Sequence, residues 1–134
     1  MGEEHVRRYQ ETDGEVGHIW NGVPILLLTT TGRRSGQPRT TPLIYARDGE
    51  DYLVVASMGG APRHPHWYRN LLVDPSASIQ VRADCVDVAA RTADEDEKAR
   101  LWAIVAGQWP NYDTYQSRTD RVIPVVVLTP RGRA

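Results

Sequence analysis

Three arginines stand within the seven residues from Arg33 to Arg39 of Gly32-Arg33-Arg34-Ser35-Gly36-Gln37-Pro38-Arg39. On a turn whose glycines let backbone amides converge, such guanidinium groups bind phosphate or carboxylate through paired, charge-assisted hydrogen bonds. Ser35 adds a hydroxyl donor, although a solvated hairpin tip would use the same residues. Ser57-Met58-Gly59-Gly60-Ala61 follows directly on an apolar, β-branched run. Its missing side chains let backbone approach a flat ligand and offer amide donors to that ligand's carbonyls; a plain flexible loop is the alternative. Trp67 and Asn70 follow Pro65 at helical spacing, so a helix beginning there presents an aromatic wall and an amide on one face. Trp67 as ordinary core fits the same spacing. Trp109, Tyr112 and Tyr115 recur every three residues, a stripe that either packs a core or lines a pocket with stacking surface and phenol donors.

No carboxylate dyad or activated nucleophile accompanies these clusters, which favours chemistry carried by a cofactor that the protein binds, orients and polarises. Gly-x-Gly-x-x-Gly, Gly-x-x-x-x-Gly-Lys-Ser/Thr and Gly-x-Ser-x-Gly are all missing, so dinucleotide, P-loop and hydrolase readings have no motif behind them. His64 and His66 flank Pro65 without a third ligand, and no metal site is expected. Cys85 is the sole cysteine; it reads as a small apolar strand residue and points to a reducing, cytoplasmic setting.

The chain has 134 residues with 16 basic and 17 acidic side chains, enough for one domain and no basis for a nucleic-acid partner. Residues 1–23 are expected to form an N-terminal helix and its connection to that domain. The longest apolar run, Ile25 to Leu28, falls far short of the ~18 residues of a membrane span. Val6 and Tyr9 give the first helix a narrow apolar face, which allows peripheral membrane contact at most.

The elements that must position the clusters follow from periodicity. A helix is expected from residue 3 to about Glu11, ended by Thr12-Asp13-Gly14. Ile25 to Thr31, Arg39 to Ala46 and Asp51 to Ser57 read as three strands joined by turns. A helix from Pro65 ends at Asp74-Pro75. The strand pattern around Ile79-Val81-Ala83 and Val86-Val88-Ala90 slips phase near Asp84-Cys85, marking a bulge or turn. Thr92 begins a capping-box spacing for a third helix, stopped by Gly107 and Pro110. Asn111 to Arg118 is expected as a connection, and Val122 to Thr129 as a last strand with Pro124 near its start. About six antiparallel strands and three short helices predict a mainly β, α+β fold: a small barrel with helices outside it or at its mouth.

Taken together, Leu26-Leu27-Leu28-Thr29-Thr30-Thr31-Gly32-Arg33-Arg34-Ser35-Gly36 with Arg39 and Pro42-Leu43, Ser57-Met58-Gly59-Gly60-Ala61, Pro65-His66-Trp67-Tyr68-Arg69-Asn70-Leu71 and Tyr112-Asp113-Thr114-Tyr115-Gln116-Ser117 resemble the deazaflavin-dependent nitroreductase family. The likeness runs from about Val6 to Pro130. It implies an FMN-binding-like split β-barrel that uses reduced coenzyme F420 to reduce quinones, nitroaromatics or other conjugated small molecules. By this resemblance Arg33, Arg34, Ser35 and Arg39 hold the coenzyme's phosphate and glutamyl tail, and Thr40, Thr41, Pro42 and Leu43 line the groove beside it. Val55, Ala56, Ser57 and Met58 meet the deazaflavin ring and its ribityl chain, mainly through backbone, His66, Trp67 and Asn70 close the other side, and Tyr112 covers the ring where the acceptor stacks. Ser57, Tyr112 or water supplies the proton, and Trp109, Tyr115 and Ile44 join Tyr112 around the acceptor. Trp109 and Ile44 stand where one member of that family has tyrosines, and Met58 where that member has a lysine. A non-enzymatic deazaflavin or flavin carrier and an FMN-dependent oxidoreductase are the alternatives, and a monomer is expected over a homodimer.

Overall fold

A computed structural model describes residues 1–131, so the last three residues of the expected domain lie outside the described part. The first helix, α1 (Glu3–Glu11), contains no glycine or proline and carries exposed pairs of Arg7 with Glu4 and Glu11 and of Arg8 with Glu4. Such surface pairs stabilise little. What docks the helix is Tyr9, fully buried with Ile25 and Leu27. Its hydroxyl donates to the Ile25 carbonyl at 3.0 Å and accepts from the Arg82 N–H at 2.8 Å. The apolar face of α1 is therefore spent on the barrel rather than free for lipid.

Strand β1 (Ile19–Trp20) turns through Asn21 and Gly22, both at positive φ, into β2 (Val23–Thr31). Two consecutive left-handed residues match the twist of the flanking strands in a two-residue hairpin. Ile25, Leu26, Leu27 and Leu28 are all buried because β2 is covered on both faces. Ile25 and Leu27 meet α1, while Leu26 and Leu28 join the barrel interior.

Strand β3 (Pro38–Ile44) pairs antiparallel with β2, and after one residue, Tyr45, the chain continues as β4 (Ala46–Asp48), which pairs with β5 (Asp51–Val55). Helix α2 (His66–Val73) leads to the hairpin of β6 (Ser76–Val81) and β7 (Asp84–Thr92). Helices α3 (Glu95–Gln108) and α4 (Asn111–Ser117) precede β8 (Val125–Pro130). Pairing runs β2-β6-β7-β8-β5-β4. Since β4 prolongs β3 and β3 pairs with β2, the sheet curls back on itself, as the expected barrel requires.

Several details differ from the sequence reading. Eight extended segments replace about six, because the run Pro38–Asp48 changes partner at Tyr45 and the short β1 hairpin is added. Four helices replace three: the Tyr-rich stretch is helical, so the aromatic spacing outweighed its polar composition. The phase slip is the β6–β7 turn, with Arg82 at φ 55°. The cap of α3 is Asp94, whose Oδ1 accepts the Glu97 N–H at 2.8 Å. Thr92 instead ends β7, its hydroxyl 2.7 Å from that of Tyr68. Gly107 lies inside α3, which continues to Gln108.

His18, just before β1, is buried, with Nε2 3.0 Å from the Tyr45 hydroxyl and Nδ1 without a partner among the described residues. Burial, then Arg82, pushes its pKa below the ordinary 6.5. The unfolded chain therefore binds this proton more readily, and stability falls as pH drops below about 6.5, until the folded-state group titrates as well. The melting temperature of the wild type should drop more steeply between about pH 7.5 and pH 5 than that of His18→Gln. Parallel curves for the two proteins would remove His18 as a source of acid sensitivity.

Candidate functional site

Beyond the end of β2 the chain makes a tight turn in which Gly32 N–H donates to the Gln37 carbonyl and Gly36 N–H to the Gly32 carbonyl, both at 2.8 Å. A Cβ on Gly32 would lie 2.6 Å from Ser35 Oγ and 3.2 Å from the Gln37 carbonyl oxygen, so any larger residue would crowd this closure and displace the Ser35 hydroxyl. Ser35 Oγ accepts the Gln37 N–H at 3.1 Å and keeps its proton for another partner.

The turn is fastened to α2 by Asn70, which is 3% exposed. Its Oδ1 accepts the Arg33 backbone N–H at 3.2 Å and Arg33 Nη1 at 2.8 Å, and its Nδ2 donates to Thr30 Oγ1 at 3.1 Å. Arg33 Nη2 lies 3.3 Å from His66 Nδ1. Loss of solvent, then repulsion from Arg69 and Arg34, lowers the Arg33 pKa, though a guanidinium remains charged at any working pH. Arg33 thus serves as a strut. Arg34 and Arg39 are exposed at the same cavity and have no carboxylate partner among the described residues, whereas Arg7, Arg8, Arg91 and Arg100 are each paired elsewhere.

This cavity, of about 410 Å³, is lined by Gly32, Arg33, Arg34, Ser35, Arg39, Thr40, Thr41, His66, Trp67 and Asn70. A second, of about 360 Å³, shares Thr41, His66 and Trp67 with it and continues over Leu43, Ile44, Val55, Ser57, Met58, Gly59, Trp109, Tyr112 and Tyr115. No Asp or Glu lines either one. A cationic recess therefore opens past Trp67 into an apolar, aromatic slot. A larger groove of about 550 Å³ over Thr29, Thr31, Ser76, Ser78, Asp87 and Arg131 has no aromatic wall.

At the floor of the slot, Ser57 has right-handed dihedrals and Met58, Gly59 and Gly60 have φ of 47°, 65° and 83°. A right-handed residue followed by a left-handed one makes successive N–H groups converge on one point, a concavity suited to anions and carbonyl oxygens. The Met58 and Gly59 N–H groups have no acceptor among the described residues. Tyr112 is 5% exposed, with Tyr115 edge-on at 6.1 Å and Trp102 at 6.3 Å. Burial first, then Tyr115, pushes its pKa far above that of an ordinary phenol. At neutral pH it is a hydrogen-bond donor and not a base.

Of the residues singled out in the sequence, the two joined cavities gather all but Pro42 and Ala56. Pro42 lines, with Val6 and Arg7 of α1, an adjoining groove that meets the recess at Thr40 and Thr41. Ala56 is fully buried, its N–H donating to the Pro124 carbonyl at 3.0 Å and its carbonyl accepting from Arg121 at 3.1 Å. Two residues were missed. Trp20 lines the slot and packs on Trp109 with ring centroids 5.6 Å apart at 42°; the Asn21-Gly22 hairpin signal beside it could have flagged it. Arg121 donates to three carbonyls of the 56–61 segment, and nothing in its local sequence distinguishes it from other connecting arginines.

Residues 2–130 match the model of a family described as F420H(2)-dependent quinone reductase. The chain is 50% identical over 131 residues to an F420H(2)-dependent quinone reductase of Mycobacterium tuberculosis, covering 95% of this chain and 88% of that one. A solved F420-H2 dependent reductase superposes with a TM-score of 0.73 at 40% identity, over 78% of this chain and 93% of that one. Another solved structure, described as a domain-swapped dimer, gives 0.76 at 38% identity over 93% and 94%. That neighbour goes against the single-subunit expectation. Among the described residues no helix is long and apolar enough to cross a membrane.

Proposed function

The chain belongs to the F420H(2)-dependent quinone reductase family, and on that premise we propose that its joined cavities hold reduced coenzyme F420 and present it to a quinone-like acceptor. The residues present fit that coenzyme, which has a polyanionic phosphate and glutamyl end and a flat, uncharged ring. Arg34 and Arg39, free of carboxylates in an acid-free recess, match the first; the slot beyond Trp67 matches the second. That continuity from unpaired guanidinium groups to aromatic slot carries the reading. It also favours F420 over FMN, whose single phosphate leaves less negative charge for two arginines.

When bound, reduced F420 supplies a hydride. The protein's own part is to orient and exclude water. Asn70 sets the height of the arginine turn against α2, Trp67 walls the passage, and the Met58 and Gly59 N–H groups meet ring oxygens. Tyr112 donates a hydrogen bond to the acceptor oxygen on which charge develops, with proximity and alignment supplying most of the rate. Ser57 Oγ or water delivers the proton. We place this activity in the cytoplasm and take the acceptor to be a small conjugated molecule.

Titration of the purified protein with F420 and with FMN tests the cofactor: tighter F420 binding is expected, and a preference for FMN would overturn the reading. Multiple turnovers with menadione separate an enzyme from a carrier, which would bind the coenzyme without acceptor-dependent oxidation. Trp20 and Trp109 form the acceptor-side wall. Since an aromatic contact contributes about 0.5–1.5 kcal/mol, Trp20→Ala should raise the menadione KM roughly twofold to tenfold. F420 affinity should be unchanged; an unaltered KM would place Trp20 outside the acceptor's reach.

A further inference from the structure

We propose that Arg121 is a positioning residue that turns the backbone N–H groups of Ser57 and Met58 toward the bound coenzyme's ring; this rests on the F420 reading above. Its Nη1 donates to the Ala56 carbonyl at 3.1 Å, its Nη2 to the Ser57 carbonyl at 2.7 Å and its Nε to the Ala61 carbonyl at 2.7 Å. In a trans peptide the C=O and the following N–H point in opposite directions. Drawing the Ala56 and Ser57 carbonyls onto one guanidinium therefore aims the Ser57 and Met58 N–H groups the other way. Ser57, Met58 and Gly59 line the slot and Arg121 does not.

The conformation so held is costly. Met58 is left-handed without being glycine, and Gly59 and Gly60 continue the left-handed run after it. Dihedrals of this kind persist when their surroundings over-determine them. Arg121 does so from one side. From the other, α4 packs so closely that a Cβ on Gly60 would lie 2.5 Å from the Tyr115 carbonyl. The arginine is itself fixed by His64, whose Nδ1 lies 3.1 Å from Nη1. Burial, then Arg121 and Arg69, lowers the His64 pKa, so the ring is neutral and its Nδ1 accepts. Three carbonyls and an imidazole are met by one rigid, planar fork. A lysine ammonium, with three donors on a flexible stem, cannot reproduce that arrangement.

Two measurements test this. In amide NMR spectra of the wild type titrated with oxidised F420, the Ser57 and Met58 resonances should be among those that move most. Amides that stay in place at saturation would overturn the proposal without any variant being made. In Arg121→Lys those two resonances should already be displaced before F420 is added, and F420 affinity should fall about tenfold, as expected for losing well-aligned amide donors. Because neutral amides act here, the loss should persist at high salt, unlike a loss of attraction between exposed charges. A folded Arg121→Lys with wild-type amide positions and affinity would refute the assignment. If Arg121→Ala folds, added guanidinium should restore F420 affinity where equal sodium chloride does not, and no difference between the salts would count against it. Failure of the wild type to bind F420 at all would instead defeat the cofactor reading.

Discussion

Replacing Arg34 and Arg39 together with alanine lowers affinity for F420 by about a hundredfold at low ionic strength, roughly tenfold for each charge-assisted contact after allowing for solvent exposure. Both side chains are exposed at the recess and have no carboxylate partner among the described residues. Truncation therefore removes contacts to the ligand without unpairing a protein anion, and the fold should survive. The loss should shrink as salt is added, because ions screen exposed charges beyond about 8–10 Å at physiological ionic strength. FMN affinity should fall less. Arg33→Ala should behave differently: its guanidinium is spent on Asn70 and His66, so its removal loosens the turn and lowers thermal stability as well as affinity. Fluorescence titration across a salt series, run beside melting curves, separates the cases. Equal F420 affinity in the double variant and the wild type at low salt would end the arginine-turn assignment.

The recess was legible in the sequence because its parts are local. Arg33 to Arg39 lie on one turn, and the helical spacing of His66, Trp67 and Asn70 puts them on one element, so composition and spacing were enough to group them. The slot was legible in outline for the same reason, with Val55 to Gly59 following one strand and Trp109, Tyr112 and Tyr115 sharing one spacing. What stayed hidden is contact between distant segments. Arg121 reaches residues more than fifty positions earlier in the chain, and no property of its neighbours announces that reach. The partner change at Tyr45 closes the barrel through tertiary pairing that alternation within a single strand does not encode. That the Pro42 ring lies against α1 and the Ala56 methyl within the core is hidden for a related reason: a motif identifies a segment, while the pleat decides which side chains of that segment face the cavity.

Tyr112→Phe should lower the acceptor-dependent kcat by about 10²–10³ while leaving F420 affinity nearly unchanged, the range found when one donor to a developing oxyanion is removed. The ring is 5% exposed and packed against Trp102 and Tyr115, so phenylalanine fills the same space and the change isolates the hydroxyl. Burial pushes the phenol pKa well above its usual value. Tyr112 therefore keeps its proton and acts through the hydrogen bond it donates, and its contribution should stay flat from about pH 6 to 9. Ser57→Ala provides the contrast. If Ser57 passes on the proton, its loss should slow turnover and raise the solvent isotope effect, since water must then replace it. A Tyr112→Phe enzyme with wild-type kcat would remove the phenol from the reaction and leave Ser57 and water as the polar groups acting on the acceptor.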